Sequence, residues 1–243
     1  MKTFSFFVLL VACSSLTIPA RSQEASGAGP PEYKVKRLTT SLAIDAHWNK
    51  KAWRKVKPAV ISNFIREVPA FRPVTEVKMQ YDDENIYVIF RVHDRYVRSL
   101  TNTVGGPVWK DAAVELFFCP DTTRPTIYFN LEINCGGTAL LGYREKKPTE
   151  EDIKKIVIAH SLPQIVNPEI TDPVVWTLEY SIPLNMLEKY AAITRPAKGV
   201  KWKANFAKIA ENNSNPHHMT WSPITAPKPN FHMPQYFGTL TFE

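Results

Sequence analysis

The chain has 243 residues, 44% of them hydrophobic and 22% charged, enough to bury one sizeable core and better suited to one domain than to two small ones. With 30 Lys and Arg against 23 Asp and Glu the net charge is +7. The basic residues are scattered over 34–57, 146–155 and 198–208 with no long block, which argues against a nucleic-acid groove. No stretch approaches the ~20 apolar residues of a spanning helix, so a helical membrane protein is excluded.

Residues 1–22 read as an export signal: Lys2 gives a positive start, Phe4 to Ala12 an apolar run, and Ala20-Arg21-Ser22 small residues at a cleavage site before Gln23. Its loss removes Lys2 and Arg21 and no acid, taking the net charge from +7 to +5. The order Leu10-Val11-Ala12-Cys13 also matches a lipoprotein processing box, in which Cys13 would carry lipid. Secretion and lipid anchoring both place the domain outside the cytoplasm, in the periplasm or at the cell surface. A flexible leader, 23–32, with the pair Pro30-Pro31, precedes the domain, 33–243.

Within the domain there is no repeat, and the prolines fall mostly between short apolar runs, the pattern of many short strands joined by ordered loops. Residues 74–81 and 85–92, rich in β-branched and aromatic side chains, predict a hairpin about Asp82-Asp83-Glu84. A second hairpin joins 113–119 to 127–134. In 175–182, Trp176, Leu178, Tyr180 and Ile182 share one face and Thr177, Glu179 and Ser181 the other, which predicts a half-buried strand. Residues 183–190, with a proline in the first turn, predict one short helix. Trp202, Ala204 and Phe206 define a further inward face, and 236–242 a closing strand. Together these predict an all-β fold, an antiparallel β-sandwich of immunoglobulin or jelly-roll type with one short helix.

In the second hairpin, alternation puts Val114, Leu116, Phe118, Phe129, Leu131 and Ile133 on one face. Glu115 and Phe117 then share the opposite face with Tyr128, Asn130, Glu132 and Asn134, and Glu115 lies across from Asn130 or Glu132 according to register. This is a polar patch edged by aromatic rings. In a generic antiparallel sheet such a face meets water. The same drawing separates Cys119 and Cys135 by about 25 Å of strand, on opposite faces, against a bridging limit of about 7 Å. Two free thiols are expected even in an oxidising compartment.

The run Gly106-Pro107-Val108-Trp109-Lys110-Asp111-Ala112-Ala113-Val114-Glu115-Leu116-Phe117-Phe118 resembles the segment of the family 9 carbohydrate-binding modules in which a tryptophan precedes an acidic residue and a Val-Glu-hydrophobic strand. Tyr128-Phe129-Asn130-Leu131-Glu132-Ile133-Asn134 is similar to the strand that follows. Residues 230–240, from Asn230 and Phe231 through Pro234 to Phe237-Gly238 and Leu240, are similar to the closing aromatic-x-x-Pro-x-x-Phe-Gly-x-Leu. Asp45-Ala46-His47-Trp48 with Trp53, and residues 81–88, fit the family's opening strands. The resemblance covers about 33–243.

It implies a DOMON-like β-sandwich without catalysis of its own, whose slot grips a terminal sugar, often a reducing end, between two aromatic rings. Such modules are commonly attached to a glycoside hydrolase and support polysaccharide breakdown. Trp109 matches one ring, Phe231 stands where better-known members carry a second tryptophan, and Glu132 where some carry an arginine. The C–H face of a pyranose packs on an aromatic ring while its hydroxyls need donors and acceptors. Trp109, Glu115, Asn130, Glu132, Phe231 and His232 are therefore the candidate carbohydrate-binding residues. Trp109 follows Gly105-Gly106-Pro107, where a ring can stand exposed, whereas Trp48, Trp53, Trp176 and Trp202 are expected in the core.

Other chemistries compete. Glu115 and Glu132 approach the ~5–10 Å separation of glycosidase carboxylates, although nothing in the sequence marks an acid-base pair. His217-His218-Met219 and His232-Met233 offer haem ligands, but adjacent strand residues point to opposite faces, so His217 and His218 cannot readily serve one metal. The resemblance also implies structural calcium, for which Asp82, Asp83 and Glu84 supply oxygen ligands. The same triplet is the composition of a solvated hairpin turn.

Overall fold

A computed structural model describes residues 29–40 and 42–243; the expected export signal and Cys13 lie outside the described residues. The strands in chain order are β1 (Glu32–Arg37), β2 (Ala59–Ile61), β3 (Asn63–Phe64), β4 (Val74–Tyr81), β5 (Asn85–Asp94), β6 (Val97–Ser99), β7 (Ala113–Cys119), β8 (Phe129–Asn134), β9 (Ala139–Tyr143), β10 (Val157–His160), β11 (Val166–Ile170), β12 (Val174–Pro183), β13 (Lys201–Ala210), β14 (His217–Thr220) and β15 (Gly238–Phe242). Three one-turn helices, α1 (Lys51–Arg54), α2 (Glu150–Ile153) and α3 (Leu184–Leu187), accompany them. No helix among the described residues is long and apolar enough to cross a membrane.

Two sheets form the sandwich. One runs β10-β12-β5-β4, all antiparallel, with β2 beside β4. The other runs β13-β7-β8-β9, with β15 and β14 sharing the far side of β13 and β3 beside β14. β1 joins them: its first residues pair with β15 and its last two with β4, parallel in both cases. The sandwich is thus mixed rather than wholly antiparallel. Val114, Leu116, Phe118, Phe129, Leu131 and Ile133 meet Phe90, Trp176, Leu178, Tyr180 and Phe206 between the sheets, so the inward faces follow the predicted alternation. Trp48, Trp53, Trp176 and Trp202 are all buried.

Several boundaries differ from the sequence reading. The expected helix over 183–190 is a single turn, Leu184–Leu187, because Pro183 finishes β12 and Leu184, Met186 and Leu187 all turn into the core. The second hairpin's return arm begins at Phe129, not 127, and the closing strand begins at Gly238 after a 3-10 turn at Pro234–Tyr236. Residues 45–48 form a turn and Trp53 lies on α1, so this stretch is not an opening strand.

The outer face of β12 is also not open to water, since residues 42–56 fold across it and pack Trp48, Trp53 and Val56 against Tyr87 and Ile89. Glu179 is completely buried beneath them. Its carboxylate accepts from Asp45 N and Ala46 N at 2.8 Å, from Trp53 Nε1 at 2.7 Å, and pairs with Lys50 Nζ at 2.7 Å. A buried carboxylate is tolerated only when so satisfied. Glu179→Ala leaves Lys50 and three N–H donors facing a void, and should cost about 3–5 kcal/mol, read as a lowered urea midpoint with the two-state transition retained.

Candidate functional site

The polar face of the β7–β8 hairpin is the floor of a groove. Glu115 stands directly opposite Glu132, and Phe117 opposite Asn130, one of the two registers the sequence allows. Segment 222–237 folds over this face and packs Ile224, Phe231 and Phe237 on Phe117, Ala113 and Ile209. Phe117 is the hub, with Phe231, Phe237, Tyr128 and His232 rings 5.3–6.1 Å from its own. The cover leaves a pocket of about 270 Å³ bordered by Trp109, Glu115, Glu132, Glu211, His218, Phe231 and His232. A second concavity of about 500 Å³ over Tyr128, Asn130, Tyr143 and Arg144 shares Glu132 and His232 with the first. The two adjoining concavities together hold the six expected residues, Asn130 by way of the second.

Trp109 is presented by a braced loop. Gly105 takes φ +77°, and a side chain on Gly106 would meet Thr103 O at 2.8 Å, so the chain turns tightly there. Asp111 accepts from Leu100 N at 3.0 Å, Thr101 N at 2.9 Å and Asn134 Nδ2 at 2.9 Å, tying the loop's two ends to β8. Val108 is buried below, and Trp109 is half-buried, packed by one side against the Phe117 layer. Phe231, by contrast, is only 7% exposed and belongs to the apolar layer on Phe117. It borders the pocket but does not stand free as a second wall. His232 is exposed beside it, its Nδ1 3.0 Å from the Tyr128 hydroxyl.

Glu115, Asn130 and Glu132 are 3%, 4% and 8% exposed. Burial, reinforced by the Glu132 carboxylate opposite, raises Glu115 well above the ordinary carboxyl range; burial likewise pushes Glu132 up to about 7, against the opposing bond from Asn130 Nδ2 to its Oε1 at 2.7 Å. Two like charges so placed cannot both ionise without a counter-ion. Asn130 Oδ1 and Glu132 Oε2 have no hydrogen-bond partner, and of the buried side-chain atoms left so among the described residues, these two lie on the groove. Such orphaned acceptors are an unusual arrangement for a folded chain.

The pocket also contains residues the sequence reading did not assign to sugar. Glu211 follows β13, His218 faces outward from β14 with Nε2 3.2 Å from Glu211, and Arg66 arrives from the chain after β3. Only the β14–β3 pairing, invisible in local sequence, brings Arg66 there. His217 does not suit haem: it points inward, its Nε2 2.9 Å from Lys208 Nζ and Nδ1 2.7 Å from Asn215 O, and burial with Lys208 nearby pushes it down to about 3. The turn triplet does not suit calcium. Asp82 caps Glu84 N and Asn85 N and accepts from the Tyr87 hydroxyl, while Asp83 pairs with Arg37. No cluster of three or more His, Cys, Asp or Glu among the described residues could hold a metal ion.

The sequence pattern described as "Carbohydrate-binding family 9" matches residues 47–242. The chain belongs to carbohydrate-binding family 9. Solved structures share the fold: a Bacteroides uniformis protein named for an inferred carbohydrate-binding role superposes with a TM-score of 0.78 at 24% identity, covering 88% of this chain and 100% of that one. A family 9 module from Caldicellulosiruptor kristjanssonii, solved with cellotriose and with glucose, gives 0.64 at 16% identity in both states, covering 88% of this chain and 94% or 96% of the module. A search of curated proteins finds no match. The family is one of binding domains, not enzymes.

In this family 9 domain the folded state keeps on Glu132 a proton that the unfolded chain releases between its ordinary value of 4.5 and about 7. That contribution to stability is full below 4.5 and is lost as pH rises through about 7. Glu132→Gln removes it. The unfolding free energy of the variant should rise relative to wild type across that window, measured by urea titration at a series of pH values; a flat difference contradicts the assignment.

Proposed function

We propose that the groove grips a small sugar or a chain end, with Trp109 as the stacking wall and Glu132 and Asn130 as acceptors for its hydroxyls. The observation that carries this reading is one half-buried indole bordering the same pocket as Glu132 Oε2, with Asn130 Oδ1 orphaned next to it. Apolar ring face and hydroxyl rim are the two surfaces a pyranose offers. Glu115, held protonated by its burial, can donate; His232 and Tyr128 form the rim. Phe231 supports the pocket from beneath. The glucose and cellotriose held by the C. kristjanssonii module favour a gluco-configured ligand.

The sequence of residues 1–22 supports export, secreted or lipid-anchored at Cys13, and a binding domain outside the cytoplasm fits a role in polysaccharide capture beside a glycoside hydrolase. Trp109→Ala should weaken glucose and cellotriose binding about tenfold or more, as loss of one stacking contact worth ~1–2 kcal/mol implies. The melting temperature should fall far less than for a buried tryptophan, whose truncation costs ~3–5 kcal/mol. Calorimetric titration and thermal melting of one preparation decide it: unchanged sugar affinity sinks the wall assignment, and collapse of the fold makes Trp109 a core residue. Repeating the titration with borohydride-reduced cellotriose separates chain-end from internal recognition.

A further inference from the structure

The floor of the groove is rich in acceptors and has no fixed cation. Glu132 Oε2 and Asn130 Oδ1 await donors, and Glu115 faces Glu132 from the neighbouring strand. The titratable groups bordering the pocket are Glu115 on β7, Glu132 on β8, Glu211 after β13, His218 on β14, His232 on the covering segment and Arg66 after β3. Three are carboxyls, burial holds His218 toward the neutral form, and the Phe117 and Tyr128 rings beside His232 shield the inner side of its otherwise exposed ring to the same effect. Two permanent cations border the groove, Arg66 at the pocket and Arg144 at the second concavity, and both are exposed to solvent. Lys208, the buried lysine of the adjoining strand, projects from the opposite face of β13 and is engaged by Asp94 at 3.3 Å and His217.

A neutral hydroxyl brought to this floor offers one proton and leaves the carboxyl pair as it was. A primary ammonium offers three donors, needs no acceptor in return, and supplies the positive charge that lets two adjacent buried carboxyls ionise together. Charge-assisted bonds of this kind are roughly twice as strong as neutral ones. We propose that the pocket selects a sugar carrying a free primary amine, its ammonium seated among Glu115, Asn130 and Glu132 and its ring against Trp109. This rests on the reading of the groove as a sugar site and names the chemical class that site prefers. An N-acetylated amine has lost both charge and two donors and is disfavoured.

The test titrates the full chain calorimetrically with glucosamine, glucose and N-acetylglucosamine at about pH 6, where such an amine is protonated. Two buffers of different ionisation heat count the protons exchanged. Glucosamine should bind at least about tenfold more tightly than either neutral sugar and release up to about two protons from the carboxyl pair, while glucose releases none. In Glu132→Gln the affinity ratio of glucosamine to glucose should fall toward one and the proton release should drop to that of Glu115 alone, about one or fewer. Equal binding of glucosamine and glucose by the wild type, with glucose binding still dependent on Trp109, overturns the selectivity and leaves the sugar site standing. A ratio unchanged in Glu132→Gln overturns the seat of the ammonium. If no sugar binds, cellotriose included, the sugar site itself fails and the selectivity with it.

Discussion

Asn205 stands on the outer face of β13, beside Phe117, and exchanges two hydrogen bonds with the backbone of Ser222: Nδ2 donates to its carbonyl at 3.2 Å and Oδ1 accepts from its N–H at 2.8 Å. This clamp turns the chain leaving β14 back over the sheet, and Ser222 Oγ donates to Tyr236 O at 2.6 Å to close the loop on itself. The aromatic layer on Phe117 follows from that path. Without the cover, the outer face would be an ordinary wetted sheet and Glu115 and Glu132 ordinary surface carboxylates. With it, they are sealed from water except through the pocket, and their acidity, orphaned acceptors and accessibility to a ligand all follow.

β13 separates two polar environments of opposite character. On its inner face Lys208 is buried with Asp94 and His217, and Asp94 also accepts from Trp176 Nε1 at 3.2 Å. Lys208, Asp94 and His217 all have partners there, the condition under which a buried network rigidifies a core. On the outer face, one residue further along the strand, the groove keeps acceptors without donors. The strand thus backs an incomplete site with a completed one, and Lys208 Nζ also donates to Ile209 O at 3.1 Å.

Much of this was readable from alternation. The period of two in 113–119 and 129–134 assigned the inner and outer faces of the hairpin correctly, and the register observed is one of two that it allowed. Burial of Glu179 was not readable, because the polar face of 175–182 is covered by residues some 130 positions earlier in the chain. Phe231 misled for a related reason: a motif places an aromatic at the pocket but does not say whether the ring stands in it or beneath it. His218 could have been found, since alternation already set it on the face opposite His217. Arg66 could not, as it reaches the groove through a strand of two residues, Asn63–Phe64, too short to leave a periodic signal.

The two cysteines sample the layers separately. Cys119 lies in the apolar layer under 222–237, its thiol donating to Pro125 O at 3.0 Å, whereas Cys135 lies between the sheets. Both are free, and burial pushes each up to about 12, so neither reacts as a thiolate until its surroundings open. A thiol-directed reagent therefore reads two clocks in one molecule, the lifting of the cover at Cys119 and the parting of the sandwich at Cys135. Because the site exists only while the cover is down, the first clock also times how long the groove persists.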